Sequence, residues 1–168
     1  MDINLYDIFG TSVKDIIKEM TGLDIRGMDD LEQEPGEILS MGVSSIITFA
    51  GARKGRLLVD MEPSLAIYLA NALLGEEYDN IKNRMVLATV SEINNIVSGD
   101  AITKLNNKYS MGLRLTPPIV FTGQDVIISI PKISSLSSWG DTDYGKIRIN
   151  IAWEGGNNKW MLNTYFLF

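Results

Sequence analysis

A long amphipathic segment between about residues 82 and 106 constrains the fold more than any other feature of this chain. At about 100° of rotation per residue, its apolar side chains fall on one side of a helix and must face a core: Val86, Val90, Ile93, Val97 and Ala101. A stripe of polar and very small residues falls on the opposite side: Ala88, Glu92, Asn95 and Gly99. The segment therefore predicts a helix that buries one face and exposes a carboxylate and a carboxamide on the other.

The size and charge of the chain limit its organisation and its partners. Its 168 residues, 45% of them apolar, are most simply one domain spanning 1–168 with a core of ordinary size. The net charge is −6 and the 15 Lys and Arg residues are scattered, whereas nucleic-acid binding requires a basic patch. No apolar run approaches the roughly 20 residues that cross a bilayer, and the first residues lack a signal-peptide pattern. We therefore expect a cytoplasmic protein that binds no nucleic acid and does not insert into a membrane.

The chain contains neither histidine nor cysteine. This excludes disulfides, Cys/His zinc sites, and nucleophilic machinery of the Ser-His-Asp or Cys-His kind. The acidic stretch around Asp29, Asp30, Glu32 and Glu37 is interpreted as a solvated loop rather than a metal site. We expect no metal and no cofactor on this chain, so any catalysis must use the remaining polar side chains or chemistry supplied by a partner.

Patterns elsewhere in the chain predict an α+β fold with a largely antiparallel sheet. A leading helix is predicted over about 3–20 and a second helix over about 62–74, followed by Gly22 and Gly75 respectively at the C-terminal caps. Six strand-like segments are predicted, at about 38–50, 55–61, 111–122, 125–130, 145–153 and 159–168. The long helix is expected to be broken or locally strained near Gly99, because glycine in a helix interior costs up to about 1 kcal/mol relative to alanine.

Glycine-containing turns follow two of these strands. The loop from Gly51 to Gly55 is predicted to be a hairpin, since the alternative, a phosphate-binding loop, would need a helix behind it. Phe49-Ala50-Gly51 and Phe121-Thr122-Gly123 resemble each other, which suggests two related halves, each a helix followed by two strands. The apolar residues 165–168 form either a strand of the monomer's own sheet or an edge that continues into a second subunit. The second alternative predicts a homodimer through strands.

The short motif Glu-x-x-Asn occurs three times, as Glu77…Asn80, Glu92…Asn95 and Glu154…Asn157. Only Glu92 and Asn95 fall on a predicted helix face, and spacing alone would make them an ordinary solvated surface. Asn94 leans towards the apolar side and is interpreted as a hydrogen-bonded structural amide. Met85, like other methionines of the chain, is assigned to ordinary packing.

A wider pattern surrounds Glu92 and Asn95. The segment 91–101 reads Ser-Glu-Ile-Asn-Asn-Ile-Val-Ser-Gly-Asp-Ala, Pro118 follows Asn95 with 22 residues between them, and Phe121-x-Gly123 comes next. This order resembles the CheX-like chemotaxis phosphatases of the CheC/FliY/CheX group, whose signature is Glu-x-x-Asn followed at this distance by proline. One such helical site rather than two is similar to CheX rather than CheC. The chain departs from the group at Ala88, where the fuller pattern has Asp or Ser.

The resemblance implies a single-domain CheC/CheX-like α/β sandwich and a phosphatase acting on a phosphorylated CheY-like response regulator. By this resemblance, Asn95 orients the attacking water, Glu92 pairs with a cationic group of the regulator, and Ala88, Glu92, Gly99 and Pro118 contact the partner. Mg²⁺ would belong to the regulator. Two other functions remain open: a non-catalytic module that binds a response regulator or flagellar switch component through the same face, and a structural dimerisation domain.

Overall fold

Three helices pack against an antiparallel sheet in the computed structural model, which describes residues 5–34, 36–129 and 134–154. The helices are α1 (Leu5–Thr21), α2 (Pro63–Leu74) and α3 (Arg84–Tyr109). Buried side chains from all three helices join those of the central strands in one hydrophobic core. The sequence pattern correctly predicts these three helices and the α+β class.

The ends of the helices follow from local chemistry. Pro63 begins α2, where its missing N–H and fixed φ suit the first turn, and Gly75 ends that helix at a φ of 67°. The Asn83 side chain caps α3 by accepting a hydrogen bond from the Met85 amide at 2.9 Å. These signals set the start of α3 two residues later than the sequence suggests.

Helix α3 continues through Gly99 without a break, so the expected interruption there is wrong. The helix is 26 residues long, and burial of its apolar stripe outweighs the cost of about 1 kcal/mol for one glycine. Among the described residues, a Cβ at Gly99 would meet no heavy atom within 4 Å apart from its chain neighbours and the backbone of its own helix. The absence of a side chain therefore relieves no crowding inside the molecule.

The described residues form ten strands of very different length, eight in the main sheet and two in a separate ribbon. They are β1 (Arg26–Gly27), β2 (Glu32–Gln33), β3 (Glu37–Leu39), β4 (Val43–Ala50), β5 (Gly55–Met61), β6 (Arg114–Leu115), β7 (Ile119–Thr122), β8 (Ile127–Ser129), β9 (Ser134–Thr142) and β10 (Gly145–Trp153). The main order is β1-β9-β10-β5-β4-β6, with β2 on β9 and β7 on β4, and β3 pairs with β8 in a separate ribbon. Every strand pair within the described residues is antiparallel, in agreement with the prediction of a largely antiparallel sheet.

Some strand predictions need correction. The segment predicted as one strand over 38–50 is divided between β3 and β4, because the chain turns at Gly42 and the two strands pair in different sheets.

Strand β9 has no counterpart in the sequence prediction. It is rich in serine, and Ser135, Ser137 and Ser138 are buried. The strand predicted over 159–168 lies outside the described residues, and the relation between two halves stays a prediction.

A buried polar cluster lies on the sheet face away from the helices. Arg148 on β10 donates to Asp60 on β5 at 2.6 Å, and both side chains are almost fully buried. Asp60 also accepts from the hydroxyl of Ser44 at 2.8 Å. The ribbon of β3 and β8 adds Ile38 and Ile128 to a small apolar cluster on this side. Both faces of the central sheet are therefore covered, and α3 packs against a sheet that is buried on both sides.

Candidate functional site on helix α3

The inner face of α3 is the stripe that the helical spacing predicts. All five of its apolar residues are at most 1% exposed: Val86, Val90, Ile93, Val97 and Ala101. They pack against α1, α2 and the sheet. The packing fixes the rotation of the helix about its axis and thereby decides which residues point outward.

The outer face of α3 carries the acid and the amide. The side chains of Ala88, Glu92 and Asn95 are exposed, and Gly99 is half-buried. Within the described part of the chain, neither Glu92 nor Asn95 has a hydrogen-bond or ion-pair partner. A carboxylate and a carboxamide one helical turn apart are thus held on a rigid helix with their hydrogen-bonding capacity unused.

Asn94 fixes the helix to the sheet beside this pair. Its side chain is 0% exposed. The Nδ2 group donates to the carbonyl oxygen and to the hydroxyl of Ser45 on β4, both at 3.0 Å, and Oδ1 accepts from the Ser98 hydroxyl at 3.1 Å. The interpretation of Asn94 as a structural amide is confirmed.

The remaining predicted contact residues flank the pair. Gly99 leaves space on the helix surface, because a Cβ there would contact no other element of the described structure within 4 Å. Pro118 is half-buried and directly precedes β7, which pairs with β4 and packs against α3. Ile119, the next residue, is exposed. The positions are compatible with a shared surface, while the roles of Ala88, Glu92, Asn95, Gly99 and Pro118 stay predictions.

Sequence reasoning missed an apolar groove of about 340 Å³ next to Glu92. It lies where the C-terminal ends of α1 and α2 meet the first half of α3. Its apolar lining is Met20, Leu73, Leu74, Met85, Ala88 and Ile93, and Thr89 and Glu92 add the polar part. The assignment of Met85 to ordinary packing is wrong, since this side chain is 47% exposed. The sequence did contain a signal for this exposure, because Met85 lies just after the Asn83 cap and outside the apolar stripe of the helix.

The side chains of the site can bind and orient a partner group. Among the described residues, no cluster of three or more Asp and Glu side chains could hold a metal ion. A carboxylate accepts hydrogen bonds and pairs with cations, while a carboxamide both donates and accepts. The described helices include none that is both long and apolar enough to cross a membrane.

Comparison with solved structures supports the fold. A CheC-like superfamily protein from Shewanella superposes with a TM-score of 0.83 at 25% identity, over 92% of this chain and 100% of that one. A CheX–CheY–BeF3–Mg²⁺ complex from Borrelia burgdorferi gives 0.72 at 27% identity, over 90% and 98% of the two chains. The chemotaxis protein CheX from Desulfovibrio desulfuricans gives 0.81 at 21% identity, over 90% and 100%. No curated protein matches the sequence.

The sequence itself matches a family model described as chemotaxis phosphatase CheX. The match covers residues 43–137, which is more than half of the chain. It runs from β4 into β9 and includes the whole of α3 with Glu92 and Asn95, as well as Pro118. This chain belongs to the CheX family of chemotaxis phosphatases.

Proposed function

We propose that this protein dephosphorylates a CheY-type response regulator, with Asn95 orienting the water that attacks the aspartyl phosphate. The observation that carries the proposal is the pair formed by Glu92 and Asn95. Both side chains are exposed and without partners in the described residues, on a helix whose opposite face is fully packed. A solved structure in which a CheX protein binds CheY with BeF3 and Mg²⁺ supports the choice of partner.

The reaction requires positioning more than covalent chemistry. An aspartyl phosphate is a reactive acyl phosphate with a good leaving group. The water oxygen bonds to phosphorus and the bond from phosphorus to the carboxylate oxygen breaks. The aspartate side chain of the regulator is left as a free carboxylate, while inorganic phosphate and a proton pass to solvent. An amide suits this step because its carbonyl oxygen can accept from the water while its NH₂ group donates. A glutamine amide has the same water-orienting role in GTPases.

Glu92 would hold the two proteins in register. It lies one turn from Asn95, so a cationic side chain of the regulator that pairs with Glu92 would fix the position of Asn95 at the phosphate. A charged contact of this kind acts mainly on encounter rate and orientation. Mg²⁺ would be held by the acidic pocket of the regulator and would neutralise charge on the phosphoryl oxygens. We place the reaction in the cytoplasm, where response regulators act.

The decisive experiment is phosphate release from the organism's CheY-type receiver domains, charged with acetyl phosphate. Asn95→Ala should lower kcat by about 10²–10³, the effect of removing one preorganised contact. Asn107→Ala is the matched control, because Asn107 is also exposed and also on α3. Circular dichroism should show both variants folded. Parental rates in Asn95→Ala would refute the mechanism.

The second candidate is a non-catalytic module that binds a regulator through the same face. Ala88 favours it, since this chain has no polar side chain where the fuller family pattern has Asp or Ser. Titration with a beryllofluoride-charged receiver domain, run beside the release assay, separates the two functions. Binding with no accelerated release would select the module. The homodimer through terminal strands concerns residues outside the described part of the chain and stays a prediction.

A further inference from the structure

The apolar groove beside Glu92 is wide enough for a side chain of another protein. Its volume of about 340 Å³ is many times the roughly 30 Å³ that one water occupies in the liquid. Met85 and Leu74 remain 47% and 40% exposed at its rim. Exposed apolar side chains gathered around a concave surface beside a polar site are typical of an interaction surface.

The groove is continuous with the site on α3. Ala88 and Glu92 line the groove and also belong to the outer stripe of the helix. Met85 lies seven residues before Glu92, which is about 10 Å along the helix axis, and roughly 15 Å from Asn95. A protein–protein interface of standard size covers about 800 Å² on each partner, equivalent to a disc of roughly 16 Å radius. A partner whose interface of this size is centred on Asn95 therefore reaches the groove.

Ala88 determines the chemistry of this contact. Ala88 presents only a methyl group to the apolar wall, where an Asp or Ser side chain would present hydrogen-bonding oxygens. A polar group of a partner that lay against this methyl group would lose hydrogen bonds to water and gain none from Ala88. An apolar side chain is the complementary group.

We propose that the groove receives an apolar side chain of the response regulator and that Ala88 helps to select a regulator that carries one. This inference rests on the proposed function and assigns a specificity contact to the same interface. The contact is remote from the reacting atoms and is equally strong before and during the chemical step. It therefore acts on KM and leaves kcat unchanged.

The test compares phosphate release by Met85→Gln, Leu74→Gln and Ala88→Asp with that by the parent, on acetyl-phosphate-charged receiver domains. Each of these three variants should raise KM about tenfold at constant kcat. The apolar variant Met85→Leu should retain the parental KM. Leu39→Gln is the control, because Leu39 is 55% exposed on β3, across the sheet from the helices. It should leave both parameters unchanged.

The outcomes separate the groove from the catalytic proposal. An unchanged KM in all three groove variants, with Asn95→Ala still inactive, would overturn the groove contact and leave the proposed function intact. Parental activity in Asn95→Ala would overturn both. A second copy of this chain is the other candidate occupant. Sedimentation that shows a dimer dissociating in Met85→Gln, with KM unaltered, would assign the groove to self-association and contradict the inference.

Discussion

Asn94 and Asn95 are neighbours in sequence, yet the side chain of Asn94 is buried against the sheet and that of Asn95 is exposed on the surface of α3. Asn94 is 0% exposed and donates two hydrogen bonds to Ser45 on β4. Asn95 is exposed and has no partner within the described residues. The first amide ties the helix to the sheet one residue away from the second, so the position of Asn95 depends on a buried anchor that never meets the regulator.

Removal of this anchor should destabilise the protein. Asn94→Ala deletes the donor to Ser45 and the acceptor for Ser98 and leaves buried polar groups unsatisfied, at a cost of about 1–3 kcal/mol. Urea unfolding measures the loss, and Asn95→Ala is the matched control with an expected change below about 0.5 kcal/mol. Equal stability of the two variants would contradict the structural role of Asn94.

Loss of the acid should weaken association with the regulator without affecting the fold. Glu92→Ala is expected to raise KM, chiefly through slower encounter, and to flatten the dependence of KM on salt, because a charged contact is screened by ions. The melting temperature should stay within about 1 °C, since the side chain is exposed and unpaired in the described residues. Glu77→Ala is a suitable control, as Glu77 is exposed and begins a Glu-x-x-Asn motif outside any helix. A large fall in melting temperature would instead indicate a structural role for Glu92.

Asp100 should make part of the stability depend on pH. Partial burial tends to raise the pKa of this carboxyl group, but hydrogen bonds from Lys104 at 2.6 Å and Ser12 at 2.7 Å outweigh burial and hold the pKa below its ordinary value. The folded state therefore favours the charged form. Its stabilising contribution is complete above the unfolded pKa of about 3.9 and disappears as pH falls through the lower folded pKa.

Asp100→Asn measures this contribution. We expect a loss of about 0.5–1 kcal/mol at pH 7, a small value because Lys104 is partly exposed and water screens the pair. The difference from the parent should shrink between pH 4 and pH 2 in urea unfolding. Asp15→Asn, at an exposed position of α1, is the control for the loss of one negative charge. A constant difference across this range would disprove the assignment.

The parts of the molecule governed by short-range periodicity could be predicted from the sequence. Val86, Val90 and Ile93 recur at helical spacing, so the buried face of α3, and hence the exposure of Glu92 and Asn95, follows from the chain alone. The break predicted in α3 at Gly99 was wrong, because the local cost of one glycine does not determine whether a long, well-packed helix continues. Strand β9 was missed because its serines lack the apolar alternation that marks a half-buried strand.

The groove could not be predicted, because its lining residues come from three helices that tertiary packing brings together. Met20, Leu74 and Met85 are far apart in sequence, and each is unremarkable in its own segment. Helical spacing places Met85 outside the apolar stripe. Met85 lines a groove only because the ends of α1 and α2 pack beside it. Depth and concavity are properties of the assembled chain.

The independence of the outer stripe of α3 from the core has a consequence for signalling. Ala88, Glu92 and Asn95 lie outside the packed interior, so we expect their exchange to leave the free energy of unfolding nearly unchanged. Under the proposed role of Ala88, a change of this one residue would redirect the protein from one regulator to another. Two copies of such a protein could then acquire different regulator specificities while every intermediate sequence remains folded.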